Sequence, residues 1–308
     1  MADRQLGLLV MAYGTPAGPD DIERYYTDIR GGRLPAPEAL VELKGRYAAI
    51  GNEFPLTRIT EEQASGLEGE LRAWGIEARA FVGMKHSPPF IDEAVERMRE
   101  AGIDRALGIV MAPHYSRLSV GSYAERARAA AGDDLELDVV ESWWAHPAFV
   151  ELLAGRVRDA VGLLPEDERD RALVAFTAHS LPERIVAEGD PYPDELRGTA
   201  EAVAARLGLP AFTTGWQSAG RTPEPWLGPP LEQTIEAAAA SGHPAIVVCP
   251  CGFVSDHLEI LYDLDVEAQE VARAAGIRLV RTESPNADPA FIRALADVVR
   301  DHLAQRVS

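Results

Sequence analysis

Short apolar runs alternate with helix-length amphipathic segments along the 308 residues. Runs at 7–11, 78–82, 107–111, 137–140, 173–177, 212–214, 246–249 and 277–280 have the length and composition of strands. Segments at 61–74, 91–101, 150–161, 194–207 and 232–240 carry the spacing of helices with one apolar face. Strands that alternate with helices in this way predict βαβ units around parallel sheets.

The eight strands fall into two sets of four that resemble each other. LLVMAYGTP aligns with LVAFTAHSLP, placing Tyr13 opposite His179, and GIVMAPHYS aligns with AIVVCPCGF, placing His114 opposite Cys251. The pattern predicts a tandem pair of four-stranded, doubly wound Rossmann-like domains, 1–145 and 146–308, with a cleft between them. The last helix, about 288–304, is placed to pack back on the first domain. The halves differ in one spacing: 72 residues separate Tyr13 from Lys85, but only 38 separate His179 from Gln217. The excess lies broadly at 17–55, with helical segments at 21–29 and 39–50. An insertion at the carboxyl end of a strand lies where open α/β sheets bind ligands, so it is a candidate cleft wall.

Polar groups recur at nearly every strand exit: Tyr13-Gly-Thr-Pro, Lys85-His86-Ser87, Pro113-His114-Tyr115, His179-Ser-Leu-Pro, Trp216-Gln217-Ser218 and the segment 252–259. Five of the seven histidines (His86, His114, His146, His179, His257) lie at or soon after such exits. In GFVSDHLEILYDLDVE, a helix starting near Leu258 places Glu259, Asp263 and Glu267 at i, i+4 and i+8 on one face. Like charges at that spacing oppose helix formation by a few tenths of a kcal/mol per pair. Taken alone, the stripe fits either a cation site or a solvated acidic face near a helix N-terminus. His179, at the tip of a central strand, fits a near-neutral base, an imidazole ligand or a hydrogen-bonded structural residue. Lys85 and His86 fit an anion site or a polar turn. Arg30, Arg33 and Arg46 all lie in the insertion, and arginine on a cleft wall suits carboxylates.

Charge narrows the field. A net charge of −19 argues against a nucleic-acid partner and suits attraction of cations. Ser180 beside His179 does not make a nucleophile–base pair, and no G-x-S-x-G, G-x-G-x-x-G or P-loop sequence occurs. The two cysteines, Cys249 and Cys251, are too close to pair readily and too few to complete a zinc or iron–sulfur site. The chain therefore reads as reduced and cytoplasmic. It has no signal-peptide pattern and no apolar stretch of transmembrane length.

Several long motifs together resemble the ferrochelatase family, most closely the coproporphyrin ferrochelatases of monoderm bacteria. They are GLLVMAYGTP, DIERYYTDIRGGR, TAHSLPERI, GDPYPDEL, GWQSAGRTPEPWLGP, GFVSDHLEILYD and SPNADPAFI, in family order over nearly the whole chain. The resemblance implies a class II chelatase-like fold and insertion of Fe(II), as substrate, into coproporphyrin III in haem biosynthesis. The alternatives are a protoporphyrin IX enzyme and a non-catalytic porphyrin carrier. It further implies that His179 and Glu259 handle metal and pyrrole protons, and that Tyr13 faces the macrocycle from the other side. Asp263 and Glu267 would continue the metal ladder, holding an accessory divalent cation such as Mg2+. Arg30, Arg46 and Tyr123 would contact or neighbour the propionates, joined by Lys85 and His86. Phe54 stands where the family has a propionate-holding serine, so a stacking or wall role is expected there. Many actinobacterial relatives carry extra cysteines for a [2Fe–2S] cluster; none is expected here. A monomer that passes product to a downstream haem-pathway enzyme completes the expectation.

Overall fold

A computed structural model describes residues 5–220 and 222–305. Its first half runs β1 (Leu6–Ala12), α1 (Ile22–Ile29), α2 (Pro37–Ala49), α3 (Leu56–Ala73), β2 (Ala78–Met84), α4 (Ile91–Glu100), β3 (Arg105–Val110), α5 (Ser122–Ala131) and β4 (Glu136–Val140). The second runs α6 (Pro147–Gly162), α7 (Glu166–Arg169), β5 (Leu173–His179), α8 (Arg184–Ala187), α9 (Tyr192–Leu207), β6 (Phe212–Gln217), α10 (Leu231–Ala240), β7 (Ala245–Cys249), α11 (Leu258–Leu261), α12 (Gln269–Ala275), β8 (Arg278–Arg281) and α13 (Pro289–Gln305). A π-helical turn, Asp263–Ala268, joins α11 to α12.

The strands form two all-parallel sheets of the same topology, β2-β1-β3-β4 and β6-β5-β7-β8. Crossover helices cover both faces of such sheets, which explains the unbroken apolar runs: β1 and β7 are buried at every position. In each sheet the order reverses between the first and third strands, opening a crevice at their carboxyl ends. The crevice edges are therefore the segments after β1 and β3 in one half, and after β5 and β7 in the other.

The insertion folds as α1 and α2, as its pattern predicts. The pattern does not reveal α5, because its inward face is built mostly of alanine (Ala124, Ala127, Ala131) and gives little amphipathic contrast. It also cuts β6 short. Polar Gln217 belongs to that strand because it pairs with His179 in register. Helix α13 lies against both α6 and α3, so the chain's last helix contacts the first half. Among the described residues no helix is long and apolar enough to cross a membrane.

Candidate active site

Strand β5 delivers His179 to the crevice edge, and Gly252 allows the segment after β7 to pass directly beside it. A Cβ at Gly252 would stand 2.5 Å from the Ala178 Cβ and 2.8 Å from its Cα. Its own N–H bonds the Thr177 carbonyl at 3.0 Å. The close pass brings Glu259, in the first turn of α11, to His179. The carboxylate is bracketed by two imidazoles: His179 Nε2 lies 3.5 Å from Oε1 and His257 Nε2 lies 3.5 Å from Oε2. Each ring is turned by a backbone carbonyl that accepts from its Nδ1, Ser180 O for His179 and Ser255 O for His257. Both Nε2 atoms are thereby left facing the carboxylate. Gln217 holds the Glu259 backbone carbonyl at 3.0 Å and is itself fixed by Thr177 at 2.8 Å.

The charges follow from this packing. Burial opposes ionisation of Glu259, but the His179 and His257 imidazoles outweigh it and hold the carboxyl below its ordinary range. Burial would also lower both histidines, yet the same carboxylate carries each of them above the ordinary imidazole value. His179 and Glu259 keep 33% and 29% of their side chains exposed, so the cluster opens on the cleft. Around it stand phenols whose pKa values burial raises, with a further push from the Glu259 charge: Tyr13, Tyr47, Tyr123 and Tyr192.

Tyr13 follows β1 and is 40% exposed. The β2 exit is tied beneath it, with Lys85 N–H on Ala12 O and His86 N–H on Tyr13 O. The His86 ring packs edge-on to Tyr13 at 4.6 Å, and Asp28 of α1 holds its Nδ1 at 2.7 Å. Lys85 Nζ donates to Ser122 Oγ at 2.6 Å and lies 4.9 Å from the Tyr123 ring; among the described residues no carboxylate pairs with it. Phe54 is half-buried and stacked on Tyr47 at 4.7 Å, a wall position. Arg30 is exposed at the end of α1, beside Tyr26.

The acidic stripe does not run along an uninterrupted α-helix. Glu267 N–H bonds back five residues to Tyr262 O, so the π turn inserts an extra residue and rotates Glu267 away from the α-helical register. Asp263 is buried, with Oδ1 bound to Arg46 and Oδ2 to Ser218. Burial raises its carboxyl to about 6; Arg46 opposes the rise and Glu259 adds to it. Arg46 also stacks on Tyr262 at 4.7 Å, with Glu267 at 3.9 Å. It thus ties the cleft-wall helix α2 to the second half. Of the expected ligand group His179, Glu259, Asp263 and Glu267, the first two face each other while Asp263 and Glu267 meet Arg46; among the described residues no three His, Cys, Asp or Glu side chains are gathered as a metal site.

In the sequence His257 stands out only as a histidine after a strand, although its place two residues before Glu259 is a usable signal. Gln217 and Ser218 are marked only as polar residues at a strand exit and Asp28 not at all, since each acts through a partner remote in sequence. Arg221, within the GWQSAGRTPEPWLGP motif, lies outside the described residues. Ser180 Oγ donates to Leu227 O and is structural. Two cavities, of about 630 and 210 Å³, lie along β2 and beside the end of α13, and neither touches His179 or Glu259.

His114 and Cys251, equivalent in the duplicated pattern, are both buried. His114 Nε2 meets Thr199 Oγ1 of α9 at 2.8 Å while Nδ1 has no partner, and burial lowers the imidazole to about 3. An unfolded histidine titrates near 6.5, so the folded and unfolded chains bind the same protons above that pH. Below it only the unfolded chain takes up this proton, and stability falls by about 1.4 kcal/mol per pH unit until about pH 3. His114→Gln is expected to flatten the fall in urea midpoint between pH 6.5 and 4 relative to the parent. Parallel slopes would refute the assignment.

A ferrochelatase family model matches residues 5–303. The coproporphyrin III ferrochelatase of Geobacillus kaustophilus (strain HTA426) is 49% identical over 310 residues, covering 99% of this chain and 98% of the relative. That of Bacillus subtilis (strain 168) is 48% identical, covering 99% and 100%. Among solved structures, the cobalt complex of the sirohydrochlorin chelatase SirB from Bacillus subtilis subspecies spizizenii superposes with a TM-score of 0.57 at 13% identity, covering 96% and 94%. CbiX, described as the terminal enzyme for biosynthesis of siroheme in denitrifying bacteria, gives 0.53 at 12%, covering 96% and 98%. These two likenesses concern the fold alone.

Proposed function

The chain belongs to the ferrochelatase family, and we propose that it inserts Fe(II) into coproporphyrin III to give coprohaem. The observation that carries the reading is a carboxylate set between two imidazoles, 3.5 Å from each, and partly exposed, with Tyr13 exposed after β1.

Metalation exchanges two pyrrole N–H protons for one ferrous ion. Water removes those protons poorly, so positioned bases are required. His179 Nε2 takes a pyrrole proton, and the Glu259 carboxylate stabilises the imidazolium that forms. His257 offers a second acceptor on the same carboxylate, matching two protons to two imidazoles. The negative Glu259 also favours approach of the ferrous substrate. Tyr13, its phenol neutral, bounds the macrocycle from the β1 side with Phe54 and Tyr47 as further wall.

Coproporphyrin brings four carboxylates. Lys85 is an ammonium at the strand exit beside Tyr13 with a hydroxyl and a ring for company, an environment completed by a substrate carboxylate. Arg30 is exposed on the same wall. Arg46 is engaged by Asp263, so it reaches a propionate only by leaving that partner. Asp263 is already paired with the Arg46 cation, which opposes a second cation there, so the ladder as it stands does not fit an accessory magnesium ion, and no step passes through one.

Steady-state metalation is expected to favour coproporphyrin III over protoporphyrin IX. Lys85→Met is expected to raise KM for coproporphyrin about tenfold with kcat little changed, as loss of one charged hydrogen bond dictates. Preference for protoporphyrin, or an unchanged KM in the variant, would reject the substrate assignment.

A further inference from the structure

We infer that Gln63, in the first half, is a positioning residue that aligns His257 and Glu259 across the boundary between halves. The inference rests on the proposed reading of that cluster.

Gln63 lies on α3 with no exposed surface. Its Nε2 points at three acceptors of the second half: Ser255 Oγ at 2.9 Å, Asn286 O at 2.9 Å and Val254 O at 3.3 Å. Its Oε1 is buried without a partner. Two N–H donors facing three acceptors fix the amide orientation, since the flipped form would set oxygen against oxygen. Leaving Oε1 unsatisfied carries a desolvation cost, so the contact is maintained against an opposing term.

The contact leads to the reaction centre in three steps. Gln63 grips the Ser255 hydroxyl, the Ser255 carbonyl orients His257 through Nδ1 at 2.9 Å, and His257 Nε2 faces Glu259 at 3.5 Å. The other side of the loop is clamped within the second half. Asn286 Oδ1 accepts the Asp256 N–H at 2.8 Å, while Ser284 and Asn286 donate to the Asp256 carboxylate at 2.7 and 2.8 Å. Gln63 thus holds from the first half a loop that is also clamped within its own half. Through it, the placement of one half against the other sets the angle of the His257 ring.

The test uses the full chain with Gln63→Met, close in shape but without donors, Ser255→Ala, and the double variant. Gln63→Met is expected to lower metalation kcat about tenfold, the scale set by a small misalignment of reacting groups, while KM for coproporphyrin stays within about twofold. The double variant is expected to lose no more than the worse single, because both interrupt one relay. A lower melting temperature with unchanged kcat would show a merely structural role and overturn the inference. So would losses that multiply in the double variant, or an effect confined to KM. If the parent metalates no porphyrin, the functional reading fails; if the parent is active and Gln63→Met equals it, only the positioning role fails.

Discussion

Glu259→Gln is expected to lower ferrous metalation of coproporphyrin by about 10²–10⁴-fold, the range for loss of positioned proton-transfer catalysis. The substitution preserves size and hydrogen-bonding reach but removes the charge that holds the His179 and His257 imidazoles above their ordinary pKa. Both rings then become poorer proton acceptors at once, so the loss exceeds that expected from one weakened hydrogen bond. The fold should persist, because neutral imidazoles beside a neutral amide leave no buried charge without a partner. Circular dichroism and quenching of porphyrin fluorescence on binding would confirm that the variant is folded and still takes up substrate. Retention of more than about a tenth of the parent rate would remove Glu259 from the chemistry, because it is less than the smallest loss expected of such a group. It would also favour the carrier alternative if His179→Ala behaved the same way.

Gly252→Ala is expected to damage stability and activity together. The added methyl would stand 2.5 Å from the Ala178 Cβ and 2.8 Å from its Cα, at a fully buried position of β5. The obstacle is backbone-proximal and no flexible side-chain end is available to move, so β5 and the loop after β7 must separate. Overpacking of this kind costs about 1–3 kcal/mol. Those two segments carry His179 and Glu259, and a displacement near 1 Å at a reaction centre costs about 10²-fold in rate. Gly155→Ala supplies the contrast. Gly155 lies within α6, and a methyl added there would meet nothing within 4 Å. Alanine at that position should stabilise by roughly 0.5–1 kcal/mol and leave the rate alone, as the helix preference for alanine over glycine requires. Thermal unfolding and metalation rates measured on both variants would check the pair; equal behaviour would show that the close pass at Gly252 is not what aligns the site.

The helix-length cleft wall, the eight strands and the duplication were legible because each depends on local periodicity, and a strand buried on both faces announces itself as an unbroken apolar run. His179 and Tyr13 were legible for a related reason: once strand ends are placed, the doubly wound topology says which loops line the crevice. The acidic stripe shows where that reasoning stops. Its spacing assumed uninterrupted α-helix, and the π turn over Asp263–Ala268 interrupts that register. Nothing in LYDLDVE marks the π turn, at whose first residue, Asp263, Arg46 and Ser218 arrive from elsewhere in the chain.

By itself, the sequence determined two parallel-sheet halves, an inserted wall and a histidine and a carboxylate at facing strand exits, since these follow from side-chain periodicity and chain order. Only the tertiary structure decided that Glu259 sits between two imidazoles, that Asp263 is tied to the wall by Arg46, and that Gln63 reaches the reaction loop from the other half. Most of these are hydrogen bonds or charge contacts lasting a few ångströms between residues tens to hundreds of positions apart. Such contacts leave no local period in the sequence, yet they set the charge and the orientation of the groups that act.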